Sequence, residues 1–428
     1  MNILLLGSGG REHAIAWKLR QSPLCDQLYI APGNPGTATL GVNLAFGVND
    51  FDAITECCRE RSIGLVVVGP EDPLVNGIYD HMRSQKDLEQ MIIVGPSAAA
   101  AQLEGSKAFA KAFMGRHGIP TAAYREFTKD NYEEGVDYLK QHALPIVLKA
   151  DGLAAGKGVV IAQTQEEALE TFADMIQEAR FGAASAKVVV EEFLSGVELS
   201  VFALTNGREF IVLPEAKDYK RIGEGDTGPN TGGMGAVSPV PFAQGPFMEK
   251  VMERIVTPTI AGLHSENLTY FGFVFFGLIN VNGDPYVIEY NCRMGDPETE
   301  VVMPRLQSDL VELFQCMQQG GLSEASIQID PRFAATVVLV SGGYPGDFEK
   351  GKQIEGLDKA TAENTLAFHA GIREENGKWW TNGGRVAAIT SYGSNIQEAV
   401  SNSNNAIQKI HFDNMNFRRD IGYEFISS

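Results

Sequence analysis

The sequence predicts a multidomain chain of mixed α/β and α+β structure, with a Rossmann-like N-terminal domain, a central region of hairpins and a small C-terminal α/β domain. Three observations lead to this prediction. The 428 residues exceed what one hydrophobic core accommodates. The N-terminal quarter alternates apolar runs with Gly/Pro turns and helices, as a doubly wound sheet does. The centre instead pairs apolar runs across short turns, which is typical of antiparallel hairpins.

Composition and charge exclude several classes of protein. The chain is 44% apolar and 21% charged, as soluble globular proteins are, and none of its apolar runs approaches the length of a membrane span. A net charge of −19 argues against non-specific nucleic-acid binding. The chain starts with a strand pattern instead of a basic leader, so we expect no signal peptide. The five cysteines are odd in number and lack CxxC spacing, so we expect reduced thiols in a cytoplasmic protein.

The first glycine-rich turn follows a strand at residues 2–6 and precedes a helix at residues 11–20. A dinucleotide site would need GxGxxG, and Glu12 stands at the third glycine position, which argues against a dehydrogenase. The turn can still bind a phosphate through backbone N–H groups at the start of the helix. The turn itself is Gly7-Ser8-Gly9-Gly10.

Three further strands of the N-terminal domain each end in a Gly/Pro turn, which places a row of loops at the carboxyl edge of a parallel sheet, where ligands bind. Glu71 on one loop is a candidate ligand, whereas Asn34 on another is equally well explained by turn chemistry. We place the first domain boundary near residue 101. The three strands are predicted at residues 27–30, 65–68 and 91–94.

Residues 145–161 predict a hairpin in which Lys149 closes the first strand. The glycine-rich loop between the strands carries Lys157, and a small cationic loop of this kind can fold over phosphates. It is not a Walker A loop, because Gly158 replaces the Ser/Thr that would bind Mg²⁺. The alternative is a mobile hairpin with incidental lysines.

Two later segments carry further polar candidates. Residues 187–194 predict a strand whose exposed end could present backbone groups to an adenine edge. A carboxylate among Glu191, Glu192 and Glu198 could bind ribose hydroxyls, although these glutamates alone could be ordinary surface residues. Residues 217–239 hold so many glycines that we expect no regular structure there. Lysines and an arginine flank this long loop, which favours a functional role.

The strongest candidate site is the segment at residues 287–300. Glu289 and Asn291 lie two apart on a predicted strand and so project to the same side, where a carboxylate and an amide oxygen suit Mg²⁺. Arg293 continues the alternation, and Asp296 and Glu298 follow in an acidic turn. The alternative is a strand end with a solvated acidic turn.

The remainder, from about residue 332, predicts a separate α/β region with strands at residues 334–340 and 386–390 and a helix at residues 395–410. We assign no acid–base role to a histidine. His13 is expected on the surface of the first helix, and His369 has no partner that the sequence identifies.

Taken together, these segments resemble the ATP-grasp superfamily and, within it, the glycinamide ribonucleotide synthetase family. The resemblance covers essentially the whole chain, and the loop at 225–236 with the segment at 288–300 is its most specific part. One departure is that the strand FVFFGLIN lacks the acidic metal ligand that many ATP-grasp enzymes carry there. The matching motifs are GSGGREHA, APGNPGT, LEGSKAF, IVLKADGLAAGKGV, EEFLSGVELS, GDTGPNTGGMGA, IEYNCRMGDPETE and TNGGRV.

The resemblance implies an ATP-dependent ligase that joins glycine to 5-phosphoribosylamine through glycyl phosphate, in de novo purine synthesis. It implies Mg²⁺ or Mn²⁺ at Glu289 and Asn291, and catalysis by Arg293, Lys149 and Asp296. ATP would bind Lys107, Lys149, Gly156, Lys157, Gly158, Glu191, Glu192, Phe193, Leu194 and Glu198. The substrates would bind Gly9, Gly10, Arg11, Glu71, Asn230, Thr231, Gly232, Gly233, Met234, Arg293, Asp296 and Glu298.

It also implies three domains at residues 1–101, 102–327 and 328–428, with a small mobile lid at about 123–190, in a monomer or weak homodimer that binds neither nucleic acid nor membrane. Other readings stay open at this stage. Another ATP-grasp ligase or a carboxylase is possible in principle, but the sequence contains no segment that suggests biotin. A non-catalytic nucleotide sensor would be expected to lose Lys149, Glu289 or Asn291, and all three are present.

Overall fold

A parallel sheet forms the N-terminal domain of the computed structural model, which describes residues 1–153, 158–178 and 186–426. Its order, β3-β2-β1-β4-β5, places the first strand at the centre, where near-continuous apolar sequence is buried on both faces. The strands predicted from the sequence are confirmed. They are β1 (Asn2–Gly7), β2 (Gln27–Pro32), β4 (Ile63–Val68) and β5 (Ile92–Val94). The domain also contains the short strand β3 (Val42–Asn43), which the sequence did not predict, and helices α1 (Gly10–Leu19), α2 (Phe51–Glu60), α3 (Glu71–Val75), α4 (Ile78–Arg83) and α5 (Ala98–Gly105).

A four-stranded antiparallel sheet with its own apolar core forms the lid. Phe127 and Phe172 are fully buried in that core, between the sheet and its two helices. This core is separate from the other apolar cores of the described residues. The predicted hairpin at residues 146–161 is confirmed as β7 with β8. The lid comprises β6 (Tyr124–Thr128), α7 (Tyr132–Gln141), β7 (Ile146–Ala150), β8 (Val159–Ala162), α8 (Gln165–Ile176) and β9 (Lys187–Glu192).

A second antiparallel sheet faces the lid, with order β11-β10-β16-β17. Its last two strands form the predicted hairpin, in which Asn282 adopts a positive φ of 53° at the turn. The strands are β10 (Val197–Thr205), β11 (Phe210–Val212), β16 (Gly272–Val281) and β17 (Asp284–Asn291). The helices of this region are α6 (Lys107–Arg116), α9 (Pro246–Val251), α10 (Thr257–Ser265), α11 (Thr299–Arg305) and α12 (Leu310–Gln319), with a π-helical turn at Met252–Val256.

The glycine-rich segment at residues 217–239 is more regular than the sequence predicted. It forms β12 (Lys217–Asp218), β13 (Arg221–Gly223), β14 (Thr227–Asn230) and β15 (Gly235–Ser238). The expectation of no regular structure was wrong because the pairing partner of β15 lies about 100 residues further along the chain, where local composition gives no sign of it.

That partner belongs to the C-terminal domain, whose main sheet has the order β12-β15-β18-β23-β20. The predicted division at residue 328 therefore runs between strands of one sheet. The remaining elements are β18 (Phe333–Val340), β19 (Gln353–Ile354), β20 (Thr365–His369), β21 (Ile372–Glu375), β22 (Lys378–Thr381), β23 (Arg385–Gly393) and α13 (Ile396–Ile407). None of the helices within the described residues has both the length and the apolar character needed to cross a membrane.

Two histidines join the N-terminal and C-terminal domains. His13 on α1 is buried, and its Nδ1 accepts a hydrogen bond of 2.8 Å from the backbone N–H of His369 on β20. Asn34 donates to the carbonyl of His369 at 2.9 Å, while its Oδ1 accepts from the turn N–H of Gly36 at 2.8 Å. Burial lowers the pKa of His13 to about 3 and that of His369 to about 4. The expectations of a surface His13 and a partnerless His369 were wrong, because the partners come from distant parts of the chain.

Candidate active site

A cleft of about 780 Å³ lies where the lid, the central sheet, the N-terminal domain and the C-terminal sheet meet. Helix α3, at the carboxyl edge of the parallel sheet, and strand β17, at the end of the central hairpin, both contribute residues to its lining. Most of the predicted site residues line it. Two of them, Gly156 and Lys157, lie outside the described residues.

Lys149 is held at one wall of the cleft by a buried carboxylate. Its Nζ lies 3.0 Å from Glu191 Oε2 and donates to the carbonyl of Ile288 at 3.2 Å. Lys111 shares the same carboxylate oxygen at 3.2 Å. Burial lowers the pKa of Lys111 to about 8, with Glu191 opposing that effect. Sequence reasoning missed Lys111, although its i, i+4 spacing from Lys107 places both lysines on one face of α6.

Lys107 begins α6 on the same side of the cleft and donates to the carbonyl of Gly152 at 2.8 Å. The preceding Ser106 caps the helix. Asp151, at the end of β7, accepts from Ser106 Oγ at 3.0 Å and from Ala108 N at 3.1 Å. The start of the glycine-rich lid loop is thus tied to the helix that carries Lys107.

The segment predicted to face adenine, residues 191–194, lies at the end of β9. Phe193 and Leu194 line the cleft. The N–H of Ala123 donates to the carboxylate of Glu192, and the N–H of Glu192 donates to the carbonyl of Ala123. Glu191 Oε2 pairs with Lys149 and Lys111, whereas its buried Oε1 has no hydrogen-bond partner among the described residues. The backbone of Phe193 and Leu194, which line the cleft, is the part of this segment that can face a base. Glu198 lies beyond it and pairs with Lys220 at 2.8 Å, which lowers the pKa of Glu198.

Glu289 and Asn291 project from the end of β17 as predicted and both line the cleft. Gly277 lies opposite Glu289 on β16, and a Cβ there would approach Glu289 Cγ to 3.0 Å, so the glycine leaves room for the carboxylate. In the orientation that satisfies both amide atoms, Asn291 Nδ2 lies 3.0 Å from Glu104 Oε1. Its amide oxygen then lies on the opposite side of the amide from Glu104, and a carboxylate with an amide oxygen fits a hard cation completed by phosphate oxygens. The described residues contain no cluster of three His, Cys, Asp or Glu that would hold a metal alone.

Arg293 follows on the same side of the chain, between two carboxylates. Its Nη2 lies 2.7 Å from Glu104 Oε1 and its Nε lies 3.4 Å from Glu71 Oε2. Glu71, expected to bind substrate, thus holds this arginine in the structure. Sequence reasoning missed Glu104, which stands in an Ala-rich helix and reads there as a surface residue.

The acidic turn after β17 is bound to an arginine from the C-terminal domain. Arg385 Nη1 lies 3.1 Å from Asp296 Oδ1 and donates to the carbonyl of Gly232 at 2.6 Å. The N–H of Gly232 donates to the hydroxyl of Tyr344 at 2.9 Å. Arg385 lines the cleft, and sequence reasoning did not select it, although its GGR turn is one of the matching motifs.

The 230–234 loop divides into residues that face the cleft and residues that support it. Asn230, Thr231 and Gly232 line the cleft. Met234 was expected to bind substrate, and this is wrong: its side chain is fully buried among the apolar residues around β1 and α11. A methionine beside a glycine loop gives no sequence sign of which way it turns.

Gly233 supports the loop by close packing. Its φ is +120°, and a Cβ would lie 2.3 Å from Pro297 Cδ. We expect Gly233→Ala to lower the free energy of unfolding by about 2–4 kcal/mol through strain and collision. Gly225→Ala is the matched control, because Gly225 also has a positive φ but open space around it; thermal melting should separate the two, and equal losses would contradict the packing argument.

The first glycine-rich turn is filled by its own protein partners. Glu12 Oε2 accepts from the N–H of Gly9 at 2.7 Å, and Glu12 Oε1 accepts from Arg11 Nε at 2.6 Å. A Cβ on Gly10 would lie 2.4 Å from Glu300 Oε1. The residue that breaks the dinucleotide fingerprint therefore occupies the helix N-terminus where a phosphate was expected, which contradicts the assignment of Gly9 and Gly10 to substrate. Arg11 does reach the cleft.

Glu298 lies in the cleft with a carboxyl group that is only 4% exposed and accepts from Ser200 Oγ at 2.9 Å. Burial, reinforced by Asp218, raises the pKa of Glu298 to about 7 from the ordinary 4.5. The folded chain therefore binds more protons than the unfolded chain between these values, and this group's stabilising contribution is lost as the pH rises through about 7.

Glu298→Gln is neutral at every pH and should gain stability relative to the wild type as the pH rises from about 5 to about 7, by on the order of 2 kcal/mol. Its amide oxygen can still accept from Ser200. Melting of both proteins across this range checks the prediction. A stability difference that stays constant with pH would contradict it.

The fold and the site define an ATP-grasp protein: an antiparallel lid faces a second antiparallel sheet, with Lys149 on one and the Glu289–Asn291 pair on the other. Models of the phosphoribosylglycinamide synthetase family match in succession its N domain over residues 1–104, its ATP-grasp (A) domain over residues 105–299 and its C domain over residues 334–424. The chain belongs to this family.

Individual relatives agree. The chain is 46% identical over 430 residues to a phosphoribosylamine–glycine ligase of Vibrio cholerae, covering 100% of this chain and 99% of that one. It is 45% identical over 430 residues to the ligase of that name from Escherichia coli K12, with the same coverage. A crystal structure of phosphoribosylamine–glycine ligase from Thermotoga maritima superposes with a TM-score of 0.82 at 36% identity, over 98% of this chain and 100% of that one. A biotin carboxylase from Campylobacter jejuni shares the fold, with a TM-score of 0.73 at 14% identity, over 99% of this chain and 94% of that one.

Proposed function

We propose that this chain ligates glycine to 5-phosphoribosylamine with ATP, giving glycinamide ribonucleotide, ADP and phosphate in de novo purine (IMP) synthesis. The observation that carries the proposal is a single cleft in which Lys149, the Glu289–Asn291 pair and Arg293 converge. The chain is also collinear with relatives of that name over its full length. Whole-chain agreement favours the ligase over a carboxylase, whose likeness is confined to the fold.

In the first step, an oxygen of the glycine carboxylate attacks the γ-phosphorus of ATP, the bond to the β-phosphate oxygen breaks, and glycyl phosphate and ADP form. Lys107 and Lys149 neutralise phosphate charge and hold the chain of phosphates in line with the attacking oxygen. Arg293, held by two carboxylates and by the carbonyl of Met294, places its positive charge beside the charge that develops on the transferred group.

A divalent cation, Mg²⁺ or Mn²⁺, would be held by Glu289 and Asn291. When bound, it supplies positive charge to the phosphate oxygens. The adenine would lie against residues 191–194 and the ribose beside Glu198. The lid would exclude water from the acyl phosphate, with its loop fastened at Asp151.

In the second step, the amine nitrogen of phosphoribosylamine attacks the carbonyl carbon of glycyl phosphate, the bond to the phosphate oxygen breaks, and the nitrogen loses a proton. We assign the glycine ammonium to the acidic turn at Asp296 and Glu298. We assign the phosphoribosyl group to the part of the cleft lined by Arg11, Arg385 and the loop at residues 230–232.

Release of ADP from purified protein with Mg²⁺, ATP, glycine and freshly made phosphoribosylamine tests the proposal. We expect release to require both glycine and the amine. Release that continues without glycine, or that needs bicarbonate instead, would overturn the substrate assignment. We also place the enzyme in the cytoplasm as a monomer or weak homodimer; its five free cysteines support a reducing compartment, and sedimentation at working concentration tests the association.

A further inference from the structure

Glu104 is a buried acidic residue in the wall of the cleft, and its contact with Arg293 does not account for both of its carboxylate oxygens. It stands in the last turn of α5, the helix that connects the N-terminal domain to α6, which carries Lys107 and Lys111. Its residue is 9% exposed. A carboxylate is costly to bury unless its oxygens are well paired, so its partners should explain why it is there.

The partners of Glu104 are three consecutive residues at the end of β17 and just beyond it. Oε1 lies 2.7 Å from Arg293 Nη2 and 3.0 Å from the amide nitrogen of Asn291. Oε2 accepts a 2.7 Å hydrogen bond from the backbone N–H of Cys292. One carboxylate thus fixes a side chain, a backbone and a second side chain, all of them hydrogen-bond donors.

This arrangement decides which atom Asn291 offers to the cleft. An asparagine amide can present either its oxygen or its nitrogen, and only the oxygen can bind a cation. With its nitrogen donating to Glu104 Oε1 at 3.0 Å and to the carbonyl of Tyr290 at 3.2 Å, Asn291 directs its oxygen to the opposite side of the amide. An ionised carboxylate only accepts hydrogen bonds, so both of its oxygens suit these donors. A glutamine at this position would have to point its NH₂ group, itself a donor, either at the N–H of Cys292 or at the side chains of Asn291 and Arg293.

We propose that Glu104 is a positioning residue that orients Asn291 for metal binding and fixes Arg293 beside it. One carboxylate thereby aligns both a ligand of the cation and the arginine that faces the phosphate. The inference rests on the proposed role of Asn291 as a metal ligand. Partners that orient metal ligands typically contribute about 10–100-fold to metal affinity, although they never touch the metal.

The test measures Mn²⁺ binding to the full-length protein in the presence of saturating ADP, by electron paramagnetic resonance. We expect Glu104→Gln to weaken Mn²⁺ by at least about tenfold, while the affinity for ADP without metal stays within about twofold of the wild type. Asn291→Ala should weaken Mn²⁺ as well, and Glu104→Gln should add little in that background, because it acts through Asn291. Mn²⁺ affinity unchanged in Glu104→Gln, or fully additive losses in the double variant, would overturn the proposal.

Glu71→Gln is the matched control, because Glu71 pairs with Arg293 at 3.4 Å and Asn291 is bonded to Glu104 instead. It removes the same charge beside the same arginine and should leave Mn²⁺ affinity within about twofold. If Asn291→Ala binds Mn²⁺ like the wild type, the ligand assignment itself fails, and this inference falls with it while the ligase reaction can stand.

A second test exchanges the donor and acceptor groups between positions 104 and 291, and it does not depend on Glu104→Gln alone folding well. Asn291→Asp alone places two carboxylates 3.0 Å apart and should weaken Mn²⁺ binding, although aspartate is intrinsically a good ligand. Adding Glu104→Gln supplies an NH₂ donor to that aspartate and should restore Mn²⁺ affinity above either single variant. Absence of any restoration would overturn the orienting role.

Discussion

Glu289→Ala is expected to reduce kcat by at least about 10³-fold, since a metal ligand at the phosphates contributes several kcal/mol to the transition state and about 4 kcal/mol corresponds to that factor. The side chain is half-buried at the cleft, opposite Gly277, so its loss removes little apolar packing. We therefore expect melting close to that of the wild type. Raising Mg²⁺ should restore only part of the activity, because Asn291 alone cannot complete the site.

Asp284→Ala is the control for this prediction. Asp284 starts the same strand, and its surface carboxylate pairs with Lys250 at 2.8 Å and Arg254 at 3.0 Å. Exposed pairs of this kind contribute about 0–1 kcal/mol, so its activity should match the wild type. ADP release measured against Mg²⁺ concentration decides the outcome, and near-normal turnover of Glu289→Ala at low Mg²⁺ would show that the metal assignment is wrong.

Arg293→Lys is expected to lower kcat by about 10²–10³-fold while the KM for ATP changes by less than about threefold. An arginine that stabilises the charge of a transferred phosphoryl group typically contributes 10³–10⁵, and lysine keeps the charge but loses the planar group. The structure adds a second reason, because a single ammonium group cannot contact Glu71 and Glu104 while facing the substrate. Losses of kcat and kcat/KM that are equal would indicate a transition-state interaction.

Arg116→Lys controls for the exchange of arginine by lysine in general. Arg116 pairs with Glu266 through two bonds, of 2.8 and 2.9 Å, at an exposed position away from the cleft. It should leave kcat unchanged. A rise in the KM for ATP at Arg293→Lys with an unchanged kcat would instead assign Arg293 to uniform nucleotide binding.

Site residues whose relative placement depends only on neighbouring residues could be predicted from the sequence. The alternation of Glu289 and Asn291 on a strand requires only that the strand form, and the period-two rule then places both side chains on one face. The same holds for Lys149, because the hairpin that presents it closes within about 15 residues. These are local relations, and the structure reproduces them.

Residues whose role depends on a distant partner could not be predicted in this way. Glu104 and Arg385 are ordinary charged residues in the sequence, and they become part of the site only because α5 and β23 are brought beside the turn after β17. Met234 shows the reverse case, since a residue inside a matching motif turned out to be core. His13 likewise has a partner 356 residues away.

The sequence by itself determined the class of fold, the family resemblance and the metal and phosphate candidates, because hydrophobic periodicity and motif spacing are properties of neighbouring residues. Only the tertiary structure decided how these candidates are held. Glu191 joins Lys149 to Lys111, Glu104 joins Asn291 to Arg293, and Glu12 fills the turn that looked ready for a phosphate. Buried charges must be paired, and which partners pair them depends on chain crossings that no local pattern encodes.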